Sequence, residues 1–182
     1  MEHAYQDSHL CAALEQAGIA FDYHEHAAVF TVAESSVLNA TLPEGIHIKN
    51  MFLKDRKKNF FLLSLEENLQ VDLKALGKTL GAKGGLSFAR PEQLWEMLGV
   101  KPGSVTPYAI LNAEQGTIKQ YFDEKVVQSR YFHAHPLRND RTITAKTAEV
   151  IAWLEQQGYP IMRLDFQDAN IQIVPLTTPL EK

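Results

Sequence analysis

The chain has 182 residues, of which 45% are hydrophobic and 22% are charged, and its formal net charge at pH 7 is −4. This length and composition are typical of one globular domain with a substantial core. The negative net charge argues against broad affinity for nucleic acid, which usually needs a basic domain, although it is compatible with a local basic surface. Because no apolar run approaches the ~18 residues of a transmembrane helix, we expect no membrane partner.

Cysteine usage and the first residues indicate the compartment. Cys11 is the single cysteine, so no internal disulfide can form, which is compatible with a reducing cytosol. Met1 and the residues that follow it lack the cationic and apolar regions of a secretory signal. We therefore expect a cytoplasmic protein in which Cys11 packs in the first helix rather than acting as a catalytic thiol.

The first part of the chain is predicted to form two helices, a strand and a hairpin. Apolar residues at helical spacing predict the first helix, and Thr31 with Glu34 forms a capping box for the second. The polar turn at 55–58 separates two apolar runs, which predicts the hairpin. The predicted elements are a helix at 8–17, a strand at 19–25, a helix at 32–38, and hairpin strands at 48–54 and 59–64.

The second part of the chain mixes helices and strands without strict alternation. Asp72 can cap a helix, Pro91 can begin the next, and Thr144 can cap the last. The predicted elements are helices at 73–80, 92–98 and 145–157, and strands at 106–112, 118–122 and 131–134. The pattern therefore predicts a single α+β domain with a mixed sheet over residues 1–167, followed by a weakly specified tail of unknown role at 168–182.

Lys49 and Asn50 interrupt the apolar run of the first hairpin strand. Alternation accounts for the apolar residues 51–53, but it gives no reason for an ammonium group and an amide before them. Burying an unpaired charge is very unfavourable, so a buried Lys49 needs a partner. That partner could be a carboxylate of the protein, or a phosphate or ester carbonyl of a ligand. Otherwise Lys49 is a strand-end lysine that reaches into water.

The segment at 99–107 contains two glycines and two prolines, which fix a rigid turn between a helix and a predicted strand. Such a loop can point the N–H groups of Gly103 and Ser104 toward one spot, as an anion or oxyanion site. It can equally be a tight connection that binds nothing.

Two histidines, His133 and His135, stand two residues apart near Asn139. The spacing resembles a metal pair, but no cysteine or carboxylate cluster at ligand spacing accompanies it, so no metal site is expected. In a strand the two side chains would face the same side. One of them could orient a substrate hydroxyl or carbonyl beside Asn139, and the alternative is a strand-end histidine with ordinary partners.

Basic residues form two groups in the sequence. Each group is either a solvated face or a set of phosphate contacts, and phosphate contacts would make binding salt-dependent. The first group contains Lys49, Lys54, Arg56, Lys57 and Lys58, and the second contains Arg138, Arg141 and Lys146.

Motifs of a protein nucleophile or a cofactor site are absent from the sequence. It has no Gly-x-Ser-x-Gly elbow, Walker loop, His-Glu-x-x-His or dinucleotide fingerprint. An enzyme built from these parts would have to act on an already activated substrate, through positioning and electrostatic stabilisation. An aminoacyl ester on the ribose of a tRNA terminus fits that requirement, and no cofactor is expected.

Several segments, taken in order, resemble the YbaK/ProX family of prolyl-tRNA editing domains. The resemblance is greatest to the freestanding ProX-type deacylases, which remove alanine from mischarged tRNA specific for proline. It extends over roughly residues 8–166. The matching segments are 26–34, 49–55, 71–74, 86–89 and 99–107, and then 135–137 with Asn139 and Thr142.

The resemblance implies a curved, barrel-like mixed sheet flanked by helices, with the aminoacyl end of tRNA in a pocket beside Lys49. It implies that Lys49 helps hold the ester or the terminal phosphate of the substrate. Gly103 and Ser104 match the family's Gly-x-x-Pro-Gly-Ser loop, and His135 matches its His-Pro-Leu segment. These four are the expected catalytic residues. The expected substrate-binding residues are Val29, Phe30, Thr31, Asn50 and Asn139.

The sequence thus predicts a trans-acting hydrolase that deacylates mischarged tRNA(Pro), with alanine as the favoured amino acid. Lys49 would offset negative charge on the substrate, and the vicinal ribose hydroxyl would assist water. The expected partner is tRNA, with prolyl-tRNA synthetase as a further candidate. Two alternatives stay open: deacylation of another small misacylated residue, such as cysteine or serine, and a catalytically silent module that binds the tRNA terminus.

Overall fold

Short helices and strands follow one another irregularly along the chain. A computed structural model gives the structure of residues 5–28, 42–167 and 170–174. The helices are α1 (Asp7–Gln16), α2 (Leu73–Thr79), α3 (Pro91–Leu98), α4 (Glu124–Gln128) and α5 (Thr147–Gln156), and a 3-10 helix spans Pro107–Asn112. The strands are β1 (Phe21–Glu25), β2 (Ile46–Lys54), β3 (Phe60–Glu66), β4 (Ser87–Phe88), β5 (Ile118–Asp123), β6 (Tyr131–Ala134), β7 (Arg141–Lys146), β8 (Ile161–Gln167) and β9 (Asn170–Val174).

Most of the predicted elements in the described residues are confirmed, and two helices, α2 and α3, have the capping signals at their ends. Asp72 accepts hydrogen bonds from the amides of Lys74 and Ala75 at the start of α2. Gly99 ends α3 in the left-handed conformation, with φ of 66°. The predicted helix at 32–38 lies outside the described residues.

The described strands form one mixed sheet in the order β1-β7-β6-β2-β3-β5-β8-β9, and β4 pairs with β2 off this path. Parallel pairing joins β2 to β6, β3 to β5 and β5 to β8, and the other neighbours are antiparallel. The β2–β3 hairpin at the centre is in regular register from Ile48 opposite Glu66 to Lys54 opposite Phe60. The prediction of a mixed sheet in an α+β domain is therefore confirmed.

Residues of β2 alternate between the two faces of the sheet, as pleating requires. Phe52 packs in the larger of two hydrophobic clusters, with α1, α3 and α5, whereas Leu53 packs in the second, with α2 and β9. Both side chains are buried, and burial of each stabilises the fold by roughly 1.5–3 kcal/mol. The centre of the sheet is thus covered on both faces.

The strand predicted at 106–112 is wrong, because residues 107–112 form a 3-10 helix. Pro107 fixes φ near −65° and has no N–H, which suits the first turn of a helix better than a central strand. The amide of Ala109 donates to the carbonyl of Thr106 at 3.1 Å. The apolar residues of this segment are buried in the larger cluster, and burial of this kind cannot distinguish strand from helix in a short run.

The predicted start of the last helix is also wrong. Thr144 lies inside β7, and α5 begins at Thr147. The hydroxyl of Thr144 does not cap a helix but lies 2.8 Å from Nδ1 of His133 on the neighbouring strand. The cross-strand partner explains why a residue suited to a cap occupies a strand.

Part of the predicted tail belongs to the sheet. Residues 170–174 form β9, which pairs antiparallel with β8 from Gln167 opposite Asn170 to Arg163 opposite Val174. The hydroxyl of Thr79, at the end of α2, donates to the carbonyl of Ile171 at 3.0 Å. None of the helices in the described part of the chain combines the length and apolar character that a membrane crossing requires.

Asp55 joins two turns at one end of the β2–β3 hairpin. Its buried carboxylate accepts hydrogen bonds of 2.7–2.9 Å from the amides of Lys57, Asn59 and Lys83 and from the side chain of Asn59. Burial by itself would raise the pKa of Asp55, but these hydrogen bonds outweigh it and lower the pKa to about 2. The hairpin turn and the loop after α2 are thereby held together.

Replacing Asp55 by alanine should destabilise the fold more than replacing Asp72, whose carboxylate accepts two amide hydrogen bonds at an exposed helix start. The reason is that Asp55→Ala leaves three backbone amides at the joined turns without their acceptor. The Asp72→Ala control should cost about 1 kcal/mol. Urea unfolding of both variants measures the difference, and equal losses would contradict the role given to Asp55.

Candidate functional site

Strand β2 changes partners along its length. Its first two residues pair in parallel with β6, and its last two pair with β4 on the same edge. Between them no described strand pairs with this edge, whereas β3 covers the other edge from Ile48 to Lys54. Lys49 and Asn50 therefore lie at a break in the sheet, on a strand that the hairpin holds rigid.

The ammonium group of Lys49 contacts a backbone carbonyl. Nζ donates a hydrogen bond to the carbonyl of Leu69, in the loop after β3, and no ion pair holds Lys49 within the described residues. Burial lowers the pKa of Lys49, and the carboxylates of Glu66, Glu67 and Asp123 act in the opposite direction. An ammonium group has three N–H donors, so Lys49 keeps donors for a substrate oxygen.

Lys49 and Asn50 point to opposite faces of β2, because neighbours in a strand alternate. Asn50 shares its face with Phe52, and its Oδ1 accepts a hydrogen bond of 2.8 Å from the hydroxyl of Ser64, its partner across the hairpin. The side chain of Asn50 is therefore held by the hairpin itself, on the face away from Lys49.

A row of polar side chains crosses β1, β7, β6 and β2 on the face that carries Lys49. Nδ1 of His133 lies 2.8 Å from Oγ1 of Thr144, and the ring of His133 stacks on that of His47 with centroids 4.4 Å apart. Lys49 follows His47 by two residues and lies on the same face. The opposite face of these strands packs in the larger hydrophobic cluster. We call this row the polar band; it consists of His24, His26, His47, His133, His135, Thr142 and Thr144.

His133 is the most enclosed histidine of the polar band. It is 4% exposed, and its Nε2 forms no hydrogen bond of normal geometry with the described residues, lying instead against the backbone at Gly45. Burial, and then the neighbouring His47 and His24, lower the pKa of His133 to about 4. Burial likewise lowers the pKa of His47. At neutral pH the centre of the polar band is therefore uncharged.

His135 and His26 continue the polar band beyond the ends of their strands, with ring centroids 6.2 Å apart. Nδ1 of His135 lies 2.8 Å from the carbonyl of Arg141, which can only accept, so this nitrogen carries the proton and Nε2 is a free acceptor in the neutral ring. Burial lowers the pKa of His135, which favours the neutral ring. Nε2 of His26 lies 2.9 Å from the hydroxyl of Thr142. This arrangement places a neutral imidazole acceptor at the end of the band.

The turn that follows His135 is strained. Leu137 has φ of 69°, in the left-handed region that a branched side chain rarely adopts. Asn139 lies in the same turn, between β6 and β7, and is partly buried. The predicted neighbourhood of His135 and Asn139 is thus a tight, distorted turn.

The loop before the 3-10 helix uses one of its two predicted amide donors internally. Gly103 has φ of 87°, which glycine adopts without strain, and the amide of Ser104 donates to the carbonyl of Lys101 at 3.0 Å. Ser104 is 6% exposed. The expected pair of free amides is therefore reduced to the Gly103 amide, and a role of Ser104 toward a substrate rests on its hydroxyl.

The structure brings together some of the predicted residues and not others. Within the described residues, no hydrogen bond or ion pair joins Lys49 to Ser104 or to His135. Val29, Phe30 and Thr31 lie outside those residues. Also among the described residues, no group of three or more histidine, cysteine or acidic side chains is placed to hold a metal ion.

Sequence reasoning gave His26, His47 and Thr144 no part in the site, and it assigned Thr144 to a helix cap. The two-residue spacing of His24 and His26 at a strand end was the available signal, and it indicates only that they share a face. The stacking of His47 on His133 depends on a parallel pairing between strands distant in sequence, which no local pattern reveals.

Comparison with known proteins identifies the class to which this fold and site belong. The family model described as the aminoacyl-tRNA editing domain matches residues 26–152. The prolyl-tRNA synthetase associated domain-containing protein 1 of Mus musculus is 32% identical over 167 residues, covering 87% of this chain and 98% of that protein. The prolyl-tRNA editing protein ProX of Acetoanaerobium sticklandii is 30% identical over 133 residues, covering 72% and 80%. The chain belongs to the YbaK/ProX family of aminoacyl-tRNA editing domains.

Solved structures confirm the fold. One described as a candidate trans-editing enzyme for prolyl tRNA synthetase superposes with a TM-score of 0.63, at 19% identity, over 91% of this chain and 96% of that chain. At this identity the likeness concerns the fold alone, which is a single α+β domain with a mixed sheet flanked by helices.

The neutral histidines of the polar band should make stability fall on acidification. Between about pH 6.5 and pH 4 the unfolded chain binds a proton at His133 that the folded protein excludes, so the free energy of unfolding decreases as the pH drops. For His133 alone, the loss between pH 7 and pH 5 should be about 2 kcal/mol. Urea titrations at several pH values should show a flatter profile for His133→Gln but not for His9→Gln, which changes an exposed histidine of α1. An unchanged profile in His133→Gln would refute the assignment.

Gly45→Ala should destabilise the protein, because the added Cβ would stand 2.7 Å from Nε2 and 2.8 Å from Cε1 of His133. The expected loss is about 1–3 kcal/mol, as for other overpacked sites. Gly77→Ala is the control. Gly77 lies inside α2, and an added Cβ would stand at an ordinary 3.4 Å from Leu86, so this substitution should stabilise the fold by up to ~1 kcal/mol. Opposite shifts in the urea midpoint support the close packing at Gly45, and equal shifts contradict it.

Proposed function

We propose that the protein is a trans-acting hydrolase that removes the amino acid from mischarged tRNA specific for proline, with alanine as the amino acid removed. Membership of the editing family and the names of the two relatives support a tRNA substrate. The observation that carries the proposal is the polar band, which ends at Lys49 in the break of the sheet. Apart from His24, all its members lie within the family match.

The reaction is the hydrolysis of an ester that aminoacylation has already activated. Water adds to the ester carbonyl carbon, the bond from that carbon to the ribose oxygen breaks, and the ribose oxygen takes up a proton. The products are the free amino acid and uncharged tRNA. Negative charge builds up on the carbonyl oxygen in the transition state, so a placed donor is needed more than a protein nucleophile.

Lys49 is the proposed donor to that oxygen or to the terminal phosphate. It stands on a strand fixed by β3, its Nζ is anchored by the Leu69 carbonyl, and two of its N–H groups stay available. An anchored ammonium group need not reorganise during the reaction, which is the condition for effective electrostatic stabilisation. The Gly103 amide and the Ser104 hydroxyl are proposed as further donors.

His135 is the proposed acceptor for the attacking water or for the vicinal ribose hydroxyl. Its protonated Nδ1 is held by the Arg141 carbonyl, which leaves Nε2 as a lone-pair acceptor. The lowered pKa of His135 keeps the ring neutral at physiological pH, as an acceptor must be. Asn139 is proposed to contact the substrate, whereas Asn50, held by Ser64 on the opposite face, is proposed to support the strand that carries Lys49.

Selectivity for alanine is proposed to follow from size. Val29, Phe30 and Thr31, with Ser104, are proposed to wall a small pocket that admits alanine and excludes proline sterically. A small pocket can reject a larger amino acid by steric clash. A large pocket rejects a smaller one poorly, because a missing methylene weakens binding by only ~1–3 kcal/mol.

Lys49→Ala should lower the rate of deacylation by about 10²-fold or more, as expected for loss of a donor to the developing oxyanion. The matched control is Lys119→Ala, an exposed lysine of β5, which should stay within about twofold of the parent rate. The measurement is release of labelled amino acid from alanine-, cysteine-, serine- and proline-charged tRNA(Pro).

Alanine should be released faster than the other three amino acids, and proline slowest. Faster release of cysteine or serine would overturn the choice of alanine. Retention of charged tRNA without turnover by the parent protein would instead identify a binding module and refute the hydrolase.

A further inference from the structure

A basic cleft of about 660 Å³ opens where the β2–β3 turn meets the loop after α2 and the start of α3. Four cationic side chains line it: Lys54, Arg56, Lys58 and Arg90. It lies beyond the polar band and contains none of the predicted catalytic residues. Within the described part of the chain, none of these four cations forms an ion pair.

The walls of the cleft are fixed by contacts already formed in the protein. The Asp55 carboxylate and the hydrogen bond of 3.0 Å from the Arg56 amide to the Lys83 carbonyl tie the two loops together. The aliphatic part of Arg56 lies against Gly84, where a Cβ would stand 2.5 Å from Cδ of the arginine. Gly84 also has φ of 79°, so a glycine is favoured here by conformation and by close approach.

The negative groups of the cleft do not cancel its positive charge. The Asp55 carboxylate is already engaged by four N–H donors, and Glu96 is the other acidic residue among those that line the cleft. Lys54 donates to Oε1 of Gln93 at 2.8 Å, a neutral acceptor that orients the ammonium group without neutralising it. The cleft therefore presents a net positive charge to an anion.

The second basic group of the sequence is different, because acidic residues neutralise it. Arg138 pairs with Asp140 at 2.6 Å and with Asp7 at 3.3 Å, and Lys146 pairs with Glu149 at 2.7 Å. Arg141 also contacts two carboxylates. Of the two groups that the sequence offered as phosphate contacts, the structure leaves the first free for a ligand.

An exposed aromatic residue is the chain neighbour of a residue that lines the cleft. Phe88 follows the lining residue Ser87 in β4 and is 59% exposed. A basic groove beside an exposed ring is the combination with which proteins bind nucleic-acid strands, since the cations meet phosphates and the ring stacks on a base.

The distance from Lys49 to the cleft is compatible with one tRNA molecule that contacts both. Lys49 and Lys54 are both in β2, five residue steps apart, which is about 17 Å along the strand. Their side chains point to opposite faces of β2, and the cleft opens at the end of the hairpin, where the two faces meet. Stacked nucleotides advance ~3.4 Å each along a strand, so a strand that runs from Lys49 to the cleft covers at least about five nucleotides. We propose, resting on the proposed function, that the cleft binds the phosphate backbone of the tRNA acceptor arm five or more nucleotides from the aminoacylated end.

The test is a triple variant, Arg56→Gln with Lys58→Gln and Arg90→Gln, that removes three cleft charges. The matched control removes three exposed lysines elsewhere, with Lys78→Gln, Lys119→Gln and Lys125→Gln, so that net charge changes equally. Binding of uncharged tRNA(Pro) is measured by fluorescence anisotropy between 50 and 200 mM salt.

The cleft variant should bind roughly tenfold or more weakly at the lowest salt, and the slope of log affinity against log salt should shrink by about 2–3, because three phosphate contacts are lost. The control should bind within about twofold of the parent and keep the slope. Equal losses in the two variants, or no loss in the cleft variant, would overturn the proposal.

A second measurement separates this inference from the proposed reaction. The cleft variant should hydrolyse the alanyl ester of a short CCA oligonucleotide at the parent rate, because that substrate does not reach the cleft, and should lose kcat/KM on full-length Ala-tRNA(Pro). Loss on both substrates would overturn the cleft proposal. If the parent hydrolyses neither substrate, the reaction is refuted and the salt-dependent binding still decides the role of the cleft.

Discussion

The change of pairing partner along β2 is the constraint on which the rest of the structure depends. One edge of the strand is joined to β3 over most of its length, whereas the other edge passes from β6 to β4 and leaves a stretch uncovered by any described strand. A strand fixed on one side and open on the other can hold a charged side chain in place while leaving room beside it. Lys49 occupies that stretch, and its amine is further restrained by the Leu69 carbonyl.

The strands that carry the polar band bury apolar side chains on one face and polar side chains on the other. One face of β6 and β7 contributes Phe132 and Ile143 to the larger hydrophobic cluster, whereas the other face buries histidines and threonines. Burying imidazole rings lowers their proton affinity and leaves Nε2 of His133 without a hydrogen bond of normal geometry among the described residues. A sequence selected for stability alone would place apolar side chains there, so the departure is typical of a functional surface.

Local signals predicted four of the five described α-helices and the hairpin, because helix caps, glycine stops and turn residues act within a few positions. Local signals failed where contacts between residues distant in sequence determine the secondary structure. Thr144 has the side chain of a helix cap, but its hydroxyl contacts His133 on the adjacent strand. The apolar residues after Pro107 are buried by a 3-10 helix as well as they would be by a strand. For the candidate site, the sequence alone identified Lys49, because a charged residue interrupts an apolar strand there.

The internal use of the Ser104 amide and the stacking of His47 on His133 were not visible, because both are settled by tertiary contacts. Likewise, the two basic groups looked equivalent along the chain. Only the positions of their acidic neighbours in space distinguish them.

The placement of β9 bears on how the protein is handled. It covers the edge of β8 and is tied to α2 through Thr79, although it lies beyond the boundary at 167 that the sequence suggests. A polypeptide trimmed at that boundary would keep β8 as a bare strand with the apolar side chains of Leu164 and Phe166 beside it. Such an edge is a template for strand addition from a second molecule, so the shortened protein would tend toward aggregation during expression.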